Sequence, residues 1–344
     1  MTTGQVTGVR IAGIVTALPQ TQETTADLAA RFGEAAAERI ARATGIHARR
    51  RAAAGQCASD LAAAAARDLL MALGWEPESI GVLLMVSQTH DHLLPATACL
   101  LHERLGLGRH CAAFDLGLGC SGYVYGLWLA STVLAAQPPG QRALLLAGDT
   151  TTRLIAPDDR AVAPLFGDAA AATALERLGP GDGHPFAFTL GSDGTGAPYL
   201  MVPGGGLRYP PGTPGVSPHL FMDGTQVFAF TLREVPTSIA AVLELAGWPL
   251  GTVDHLVLHQ ANAQMLRHLG QRLGARPEQL LVALEEVGNT SSASIPLALT
   301  LGLGESLTHG PDRRLVLSGF GVGWSWGSAA LLCPPLAVCR NLIA

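Results

Sequence analysis

The chain repeats itself at long range, and this limits the folds open to it more than any other feature. Residues 142–148, Arg-Ala-Leu-Leu-Leu-Ala-Gly, are followed by Phe166-Gly167-Asp168-Ala169-Ala170. Residues 314–319, Arg-Leu-Val-Leu-Ser-Gly, are followed in the same way by Trp326-Gly327-Ser328-Ala329-Ala330. Residues 82–88 and 255–260 form a second matching pair. Similarity of this kind points to one supersecondary unit used twice. The chain is expected to divide into halves, residues 1–180 and 181–344, that meet near 175–185. Within each half, apolar runs ending in Gly or Asp alternate with Ala- and Leu-rich stretches of helical spacing. That is the pattern of an α/β protein with strands buried on both faces.

Composition narrows the function classes. Of 344 residues 48% are hydrophobic, 14% are charged and 41 are glycine, which suits a large core crossed by tight turns and excludes disorder. A formal charge of −5 with scattered arginines offers no basic stripe for nucleic acid. No apolar run approaches the ~18 residues of a membrane span, and the start, Met1-Thr2-Thr3-Gly4-Gln5, lacks the pattern of a signal peptide. The expected location is cytoplasmic. The six cysteines contain no Cys-x-x-Cys pair, and His90-Asp91-His92 has no further ligand nearby, so no metal and no disulfide framework is expected. The tail from residue 334 follows the last expected strand without an evident role.

One cysteine has a reactive setting. Residues 111–115 read as a strand, and residues 123–136 as a helix; between them Leu116-Gly117-Leu118-Gly119-Cys120-Ser121-Gly122 sets Cys120 on a turn at the helix N-terminus. Unpaired N–H groups and the positive end of the helix dipole there are expected to favour thiolate and to present donors to an oxyanion. The plainer alternative is a small inert core residue. Gly117-x-Gly119-x-x-Gly122 also spells the dinucleotide-binding fingerprint, with Asp149 ending the next strand, so a Rossmann oxidoreductase is a rival.

Two polar turns lie downstream. His259-Gln260-Ala261-Asn262 leaves a strand end, where an α/β fold opens its ligand crevice; the alternative is a structural histidine. Gly288-Asn289-Thr290-Ser291-Ser292 feeds a helix, and helix capping is the ordinary role of such residues. Finally Ser318-Gly319-Phe320-Gly321-Val322-Gly323 exposes main chain between glycines, so a ligand can closely approach an N–H group.

Taken in order with Val9–Gly13, Ala43-Thr44-Gly45-Ile46 and the arginines after it, these segments resemble the β-ketoacyl-acyl-carrier-protein synthase III family across nearly the whole chain. The resemblance implies a thiolase fold, with duplicated α/β halves packed as a five-layered α-β-α-β-α core. It also implies a Cys120, His259, Asn289 triad and no cofactor beyond coenzyme A or phosphopantetheine thioesters as substrates. Cys120 would carry an acyl group. His259 and Asn289 would stabilise the enolate of a malonyl thioester, and the N–H groups of Cys120 and Val322 would hold the second oxyanion. Phe166, Gly321 and Arg160 would line the substrate site. A homodimer is implied, with the Leu94-Pro95-Ala96 loop entering the partner's acyl pocket.

There are departures from the family pattern. Val322 stands where glycine is usual, Leu94 where short-primer members often carry phenylalanine, and Arg39 where a tryptophan commonly stacks on adenine. Two basic docking positions are Ala229 and Gln264, which Arg233 or Arg267 partly replace. The donor is therefore open between acyl-CoA and acyl carrier protein. The expected activity is decarboxylative Claisen condensation in fatty acid, polyketide or related biosynthesis. Its alternative is acyl transfer to oxygen or nitrogen. A degradative thiolase would want a second cysteine in the 319–327 loop, and a non-catalytic dimer partner would lack Cys120.

Overall fold

The computed structural model describes residues 1–179 and 181–344. The first half runs β1 (Thr2–Val6), β2 (Val9–Leu18), β3 (Thr21–Thr24), α1 (Thr25–Phe32), α2 (Glu34–Thr44) and β4 (Ala48–Arg51). It continues through α3 (Ala58–Leu73), β5 (Ile80–Val86), α4 (Thr97–Arg104), β6 (Ala112–Leu116), α5 (Gly122–Ala135), β7 (Arg142–Asp149) and β8 (Ala169–Arg177). The second half has β9 (Phe186–Ser192), β10 (Leu200–Met201), β11 (Phe221–Met222), α6 (Gly224–Ala246), β12 (His255–Leu258) and α7 (Ala263–Leu273). It ends with α8 (Ser294–His309), β13 (Arg313–Gly321), β14 (Ser325–Cys333) and β15 (Val338–Ile343).

Two large sheets show the repeat directly. One has the order β15-β2-β8-β7-β5-β6 and the other β1-β9-β14-β13-β12. β5 runs parallel to β7, which is antiparallel to β8, which is antiparallel to β2. β12, β13, β14 and β9 repeat that arrangement of directions. The edges are exchanged between halves. β1 pairs with β9 in the second sheet, and β15, in the tail that had no evident role, adds to β2 in the first. The expected boundary at 180 falls on Pro180, outside the described residues.

Alternation along the strands explains the layers. In β5, Val82, Leu84 and Val86 face the central core, while Leu83 and Met85 face the core under α3. In β12, Val257 faces the central core and Leu256 and Leu258 face α6 and α7. Both faces of each sheet are thus covered, which is why the strands read as unbroken apolar runs. α5 and α8 lie between the sheets and are apolar nearly all round, as a helix buried on both sides must be. The layers are α3, sheet, α5 with α8, sheet, and α6 with α7: the five-layered order that the resemblance implied. No helix among the described residues is long and apolar enough to cross a membrane.

Candidate active site

Three turns converge on one point: those after β6 and β12, and the one that leads into α8. Cys120 follows β6 and immediately precedes Ser121, the N-cap of α5, in a turn closed by Gly122 N–H donating to Gly119 O at 2.7 Å. His259 continues from β12, its N–H donating to Ser318 O at 2.8 Å. Asn289 is fixed by a parallel bridge to Phe166: its N–H donates to Leu165 O at 2.9 Å, and its carbonyl accepts from Gly167 N–H at 3.0 Å. All three side chains are buried.

These three side chains line one cavity of 380 Å³, whose walls include Leu165, Met222, Phe228 and Phe320. A second cavity of 200 Å³ meets it at Cys120, Phe166 and Leu200 and continues past Leu154, Leu220 and Val322. Cys120 therefore stands between a larger chamber containing the two polar side chains and a smaller, mostly apolar one. The glycines beside it set this geometry. A Cβ on Gly321 would lie 2.7 Å from Cys120 Cβ and 3.1 Å from its Sγ.

The hydrogen bonds assign atoms. Asn289 Oδ1 accepts the Ser291 N–H at 3.0 Å, which leaves the amide NH₂ as the group available to the cavity. His259 Nδ1 meets Ser294 Oγ at 2.7 Å. A serine hydroxyl can donate or accept, so Ser294 supports either imidazole tautomer and leaves Nε2 to act as donor or acceptor. Burial is the main cause that pushes the imidazole pKa from 6.5 down to about 3, opposed by the Ser291 backbone. His259 is neutral at working pH.

A pH prediction follows from that shift. Between pH 3 and 6.5 the unfolded chain binds a proton on His259 that the folded chain refuses. Its contribution to stability is whole above 6.5 and is lost progressively as pH falls toward 3. The rate of any step that needs neutral His259 should stay level as pH falls through 6.5. A rate–pH profile with an acid limb at 6.5 assigned to His259 would contradict this.

The thiol corrects an expectation. Burial, and then the negative charge of Asp149, push the Cys120 pKa up to about 12. Hydrogen bonds from the Ser291 side chain and from the Cys120 and Val322 backbone oppose the rise without cancelling it. The helix terminus is thus outweighed by desolvation, which favours the neutral Cys120 thiol. Its proton must leave as it attacks.

Asp149 itself is not a nucleotide ligand. It is 1% exposed and accepts from Gln88 N–H at 2.7 Å, Ser292 Oγ at 2.7 Å and Ser292 N–H at 3.2 Å, with Ser87 Oγ at 3.2 Å. It ties the Asn289 turn to the end of β5. The glycines of the apparent fingerprint are likewise filled by protein: a Cβ on Gly119 would meet Gln88 Oε1 at 2.3 Å, and one on Gly122 would meet Val86 at 2.5 Å. The dinucleotide reading ends there.

Two other substrate-site candidates lie away from the cavities at Cys120. Arg160 is exposed, lies 5.8 Å above the Phe32 ring and lines neither cavity at Cys120. Leu94 is 86% exposed on a separate cleft of 740 Å³, which shares Gln88, Thr89 and Leu154 with the smaller cavity. Phe166 lines both cavities, Gly321 the larger and Val322 the smaller. Sequence reasoning passed over Ser291 and Ser294, although both lie in the turn that begins at Gly288. Their spacing from Asn289 was the available signal.

Known proteins resemble this chain in sequence and fold. Models of 3-oxoacyl-[acyl-carrier-protein] synthase III match residues 114–194, and models of its C-terminal part match residues 243–333. A β-ketoacyl-[acyl-carrier-protein] synthase III of Symbiobacterium thermophilum is 37% identical over 94% of this chain and 97% of its own. The chain belongs to the 3-oxoacyl-[acyl-carrier-protein] synthase III family. A crystal structure of a 3-oxoacyl-(acyl-carrier protein) synthase from Burkholderia xenovorans, 40% identical, superposes with a TM-score of 0.95 over 100% of this chain and 99% of that one. The priming β-ketosynthase of the R1128 polyketide pathway, 29% identical, gives 0.85 over 96% and 97%. Synthase III membership accounts for the thiolase fold and for the order of the four motifs along the chain.

Proposed function

We propose that the protein catalyses decarboxylative Claisen condensation between an acyl thioester and a malonyl thioester. The observation that carries this is the convergence of Cys120, His259 and Asn289 on one 380 Å³ cavity, beside a second cavity able to take an acyl chain. The acyl donor enters through the larger cavity, and Cys120 sulfur attacks its carbonyl as His259 Nε2 takes the thiol proton. The N–H groups of Cys120 and Val322 hold the tetrahedral oxyanion. Its collapse expels the donor thiolate, which takes the proton held on His259 Nε2 and leaves as thiol, while the acyl chain stays in the smaller cavity.

The malonyl thioester then occupies the larger cavity. Loss of CO₂ leaves an enolate, whose oxygen receives hydrogen bonds from His259 Nε2–H and the Asn289 amide. Both donors are neutral and fixed before charge develops, which is the arrangement that lowers such a barrier. The enolate carbon attacks the Cys120 acyl carbonyl; the carbon–carbon bond forms, the carbon–sulfur bond breaks, and the Cys120 thiolate takes one proton from solvent, matching the carboxylate charge lost as CO₂. Incubation with acyl and malonyl thioesters should yield a β-ketoacyl thioester by mass spectrometry. No such product with any donor would refute the reading. The substrates are carried by coenzyme A, acyl carrier protein or both.

The acyl chain should meet Val322, which lines the smaller cavity. Val322→Gly removes that volume while keeping the backbone N–H. The longest acyl group that gives a stable mass gain on Cys120 should lengthen by several carbons. An unchanged profile would separate that cavity from the acyl site.

The working unit is a homodimer. What supports this is β6, an edge strand with one unpaired side, together with Leu93 and Leu94, which are 81% and 86% exposed. A partner's Leu94 loop entering the 740 Å³ cleft would reach the wall of the acyl cavity through the residues they share. Light scattering at micromolar concentration should give twice the chain mass; a monomer would overturn this assembly.

A further inference from the structure

The arginines after the Thr-Gly-Ile motif find no role in condensation. Arg49 and Arg51 on β4, Arg31 on α1 and Arg153 line a cavity of 270 Å³ together with Thr152, Ile155 and His219. This cavity has no lining residue from the Cys120, His259, Asn289 chamber. Leu28, Phe32, Ile155, Ala163 and Phe166 form the apolar cluster between the two.

Its charges do not balance. Glu23 is the shared acidic partner of three of the arginines, meeting Arg31 at 3.4 Å, Arg51 at 3.3 Å and Arg49 more closely. Asp168, near Arg49, is already committed to Thr152 Oγ1 at 2.6 Å and Ala52 N–H at 2.8 Å. Arg153 donates only to neutral groups, the carbonyls of Ala53 at 2.8 Å and Gln56 at 2.7 Å and the Cys57 sulfur. Four guanidinium groups thus face two carboxylates.

The buried members are also short of partners. Arg49 is 3% exposed, and its Nε has no hydrogen-bond partner; nor does the buried Nδ1 of His219. Arg49 is held below the ordinary arginine range, at about 10, first by burial and then by repulsion from Arg51. An arrangement that concentrates positive charge, desolvates it and leaves donors unused lacks an anion. Guanidinium forks match tetrahedral phosphate oxygens in both shape and charge.

We propose that this cavity binds a phosphate group, held chiefly by Arg31, Arg51 and Arg153 with Arg49 behind them. The cavity is separate from the Cys120 chamber but adjoins its wall, since Arg49 Nη1 donates to the Phe166 carbonyl at 2.8 Å. The phosphate is either free or the phosphorylated end of a nucleotide ester, and two probes distinguish these sources.

Calorimetric titration of the full chain with inorganic phosphate, and separately with adenosine 3′,5′-bisphosphate, tests the site. At least one should bind saturably. The Arg31→Gln/Arg51→Gln double variant should weaken it roughly ten-fold or more, as expected for losing two charge-assisted partners. Arg10→Gln, whose guanidinium pairs with Glu176, should not. Equal affinity for the two probes indicates free phosphate, and tighter binding of the bisphosphate indicates the ester. Since the double variant could unfold, thermal melting of the unaltered protein in phosphate against chloride of equal ionic strength supplies a second readout. Saturable stabilisation by phosphate is expected. Absence of binding by both probes, binding unaffected by the folded double variant, or melting that does not respond to phosphate would overturn the proposal.

Discussion

Asn289→Ala should acquire an acyl mass on Cys120 at close to the normal rate, yet lose malonyl decarboxylation by roughly 10²–10³-fold, the usual cost of removing one oxyanion donor. The reason lies in how the side chain is held. Its Oδ1 is taken by Ser291 N–H, so the amide has only its NH₂ to offer, and a group that only donates can hold an enolate oxygen but cannot take a proton from the thiol. The backbone of residue 289, paired with Phe166, does not depend on the side chain and should keep the turn in place. Asn289→Asp, almost the same shape, should be no better than alanine, since it would replace a donor by a negative charge. Intact mass and labelled CO₂ measured on the same samples check the split. Equal loss of acylation and decarboxylation would show that Asn289 serves the fold or the first step instead.

Asp149→Asn should give the second large effect, with two signs to test. The carboxylate accepts from Gln88, from both donors of Ser292 and from Ser87, and an amide cannot accept on both sides. At least one buried donor loses its partner, which costs about 1–3 kcal/mol, so the melting temperature should fall. The same substitution removes the negative charge that, after burial, does most to raise the Cys120 pKa. The thiol should therefore ionise more easily. Alkylation by iodoacetamide as a function of pH should shift to lower pH while stability decreases. A variant that is less stable with an unaltered alkylation profile would show that Asp149 acts on the Asn289 turn alone.

The candidate residues Cys120 and His259 stood out because each sits on a turn between an apolar strand and a helix, and Asn289 because its polar turn feeds a helix. The duplication was legible because β7 and β13 are both buried on two faces, so both keep an unbroken apolar run. The edge strands were not. β1 is mostly exposed and polar, and β15 carries Arg340 and Asn341, so neither has the run that marks an interior strand. Pairing with the opposite half is a tertiary event with no local signal. We propose, on the matching strand orders, that the halves 1–180 and 181–344 descend from one unit, with each now lending an edge to the other.

The site's electrostatics were harder to read than its membership. A cysteine at a helix N-terminus suggests a low pKa when the surroundings are unknown, but the α5 terminus lies under both sheets, and desolvation there outweighs the dipole. Asp149, ending the strand after the glycine fingerprint, looked like part of a nucleotide-binding unit. Its partners at Ser87, Gln88 and Ser292 come from segments far apart in the chain, and only the fold brings them together. Arg160 and Leu94 were carried over from family positions, where coenzyme and partner chains help to define the pocket.

The central claim is that the thiol carries an acyl group that a decarboxylated malonyl unit then attacks. The most direct measurement is release of labelled CO₂ from malonyl thioester, run beside intact-protein mass spectrometry on the unaltered enzyme with a panel of acyl donors. The expected result is a mass gain on Cys120, followed by its loss in step with CO₂ release. Protein that acylates at Cys120 but releases no CO₂ with any malonyl donor would contradict condensation and leave simple acyl transfer in its place.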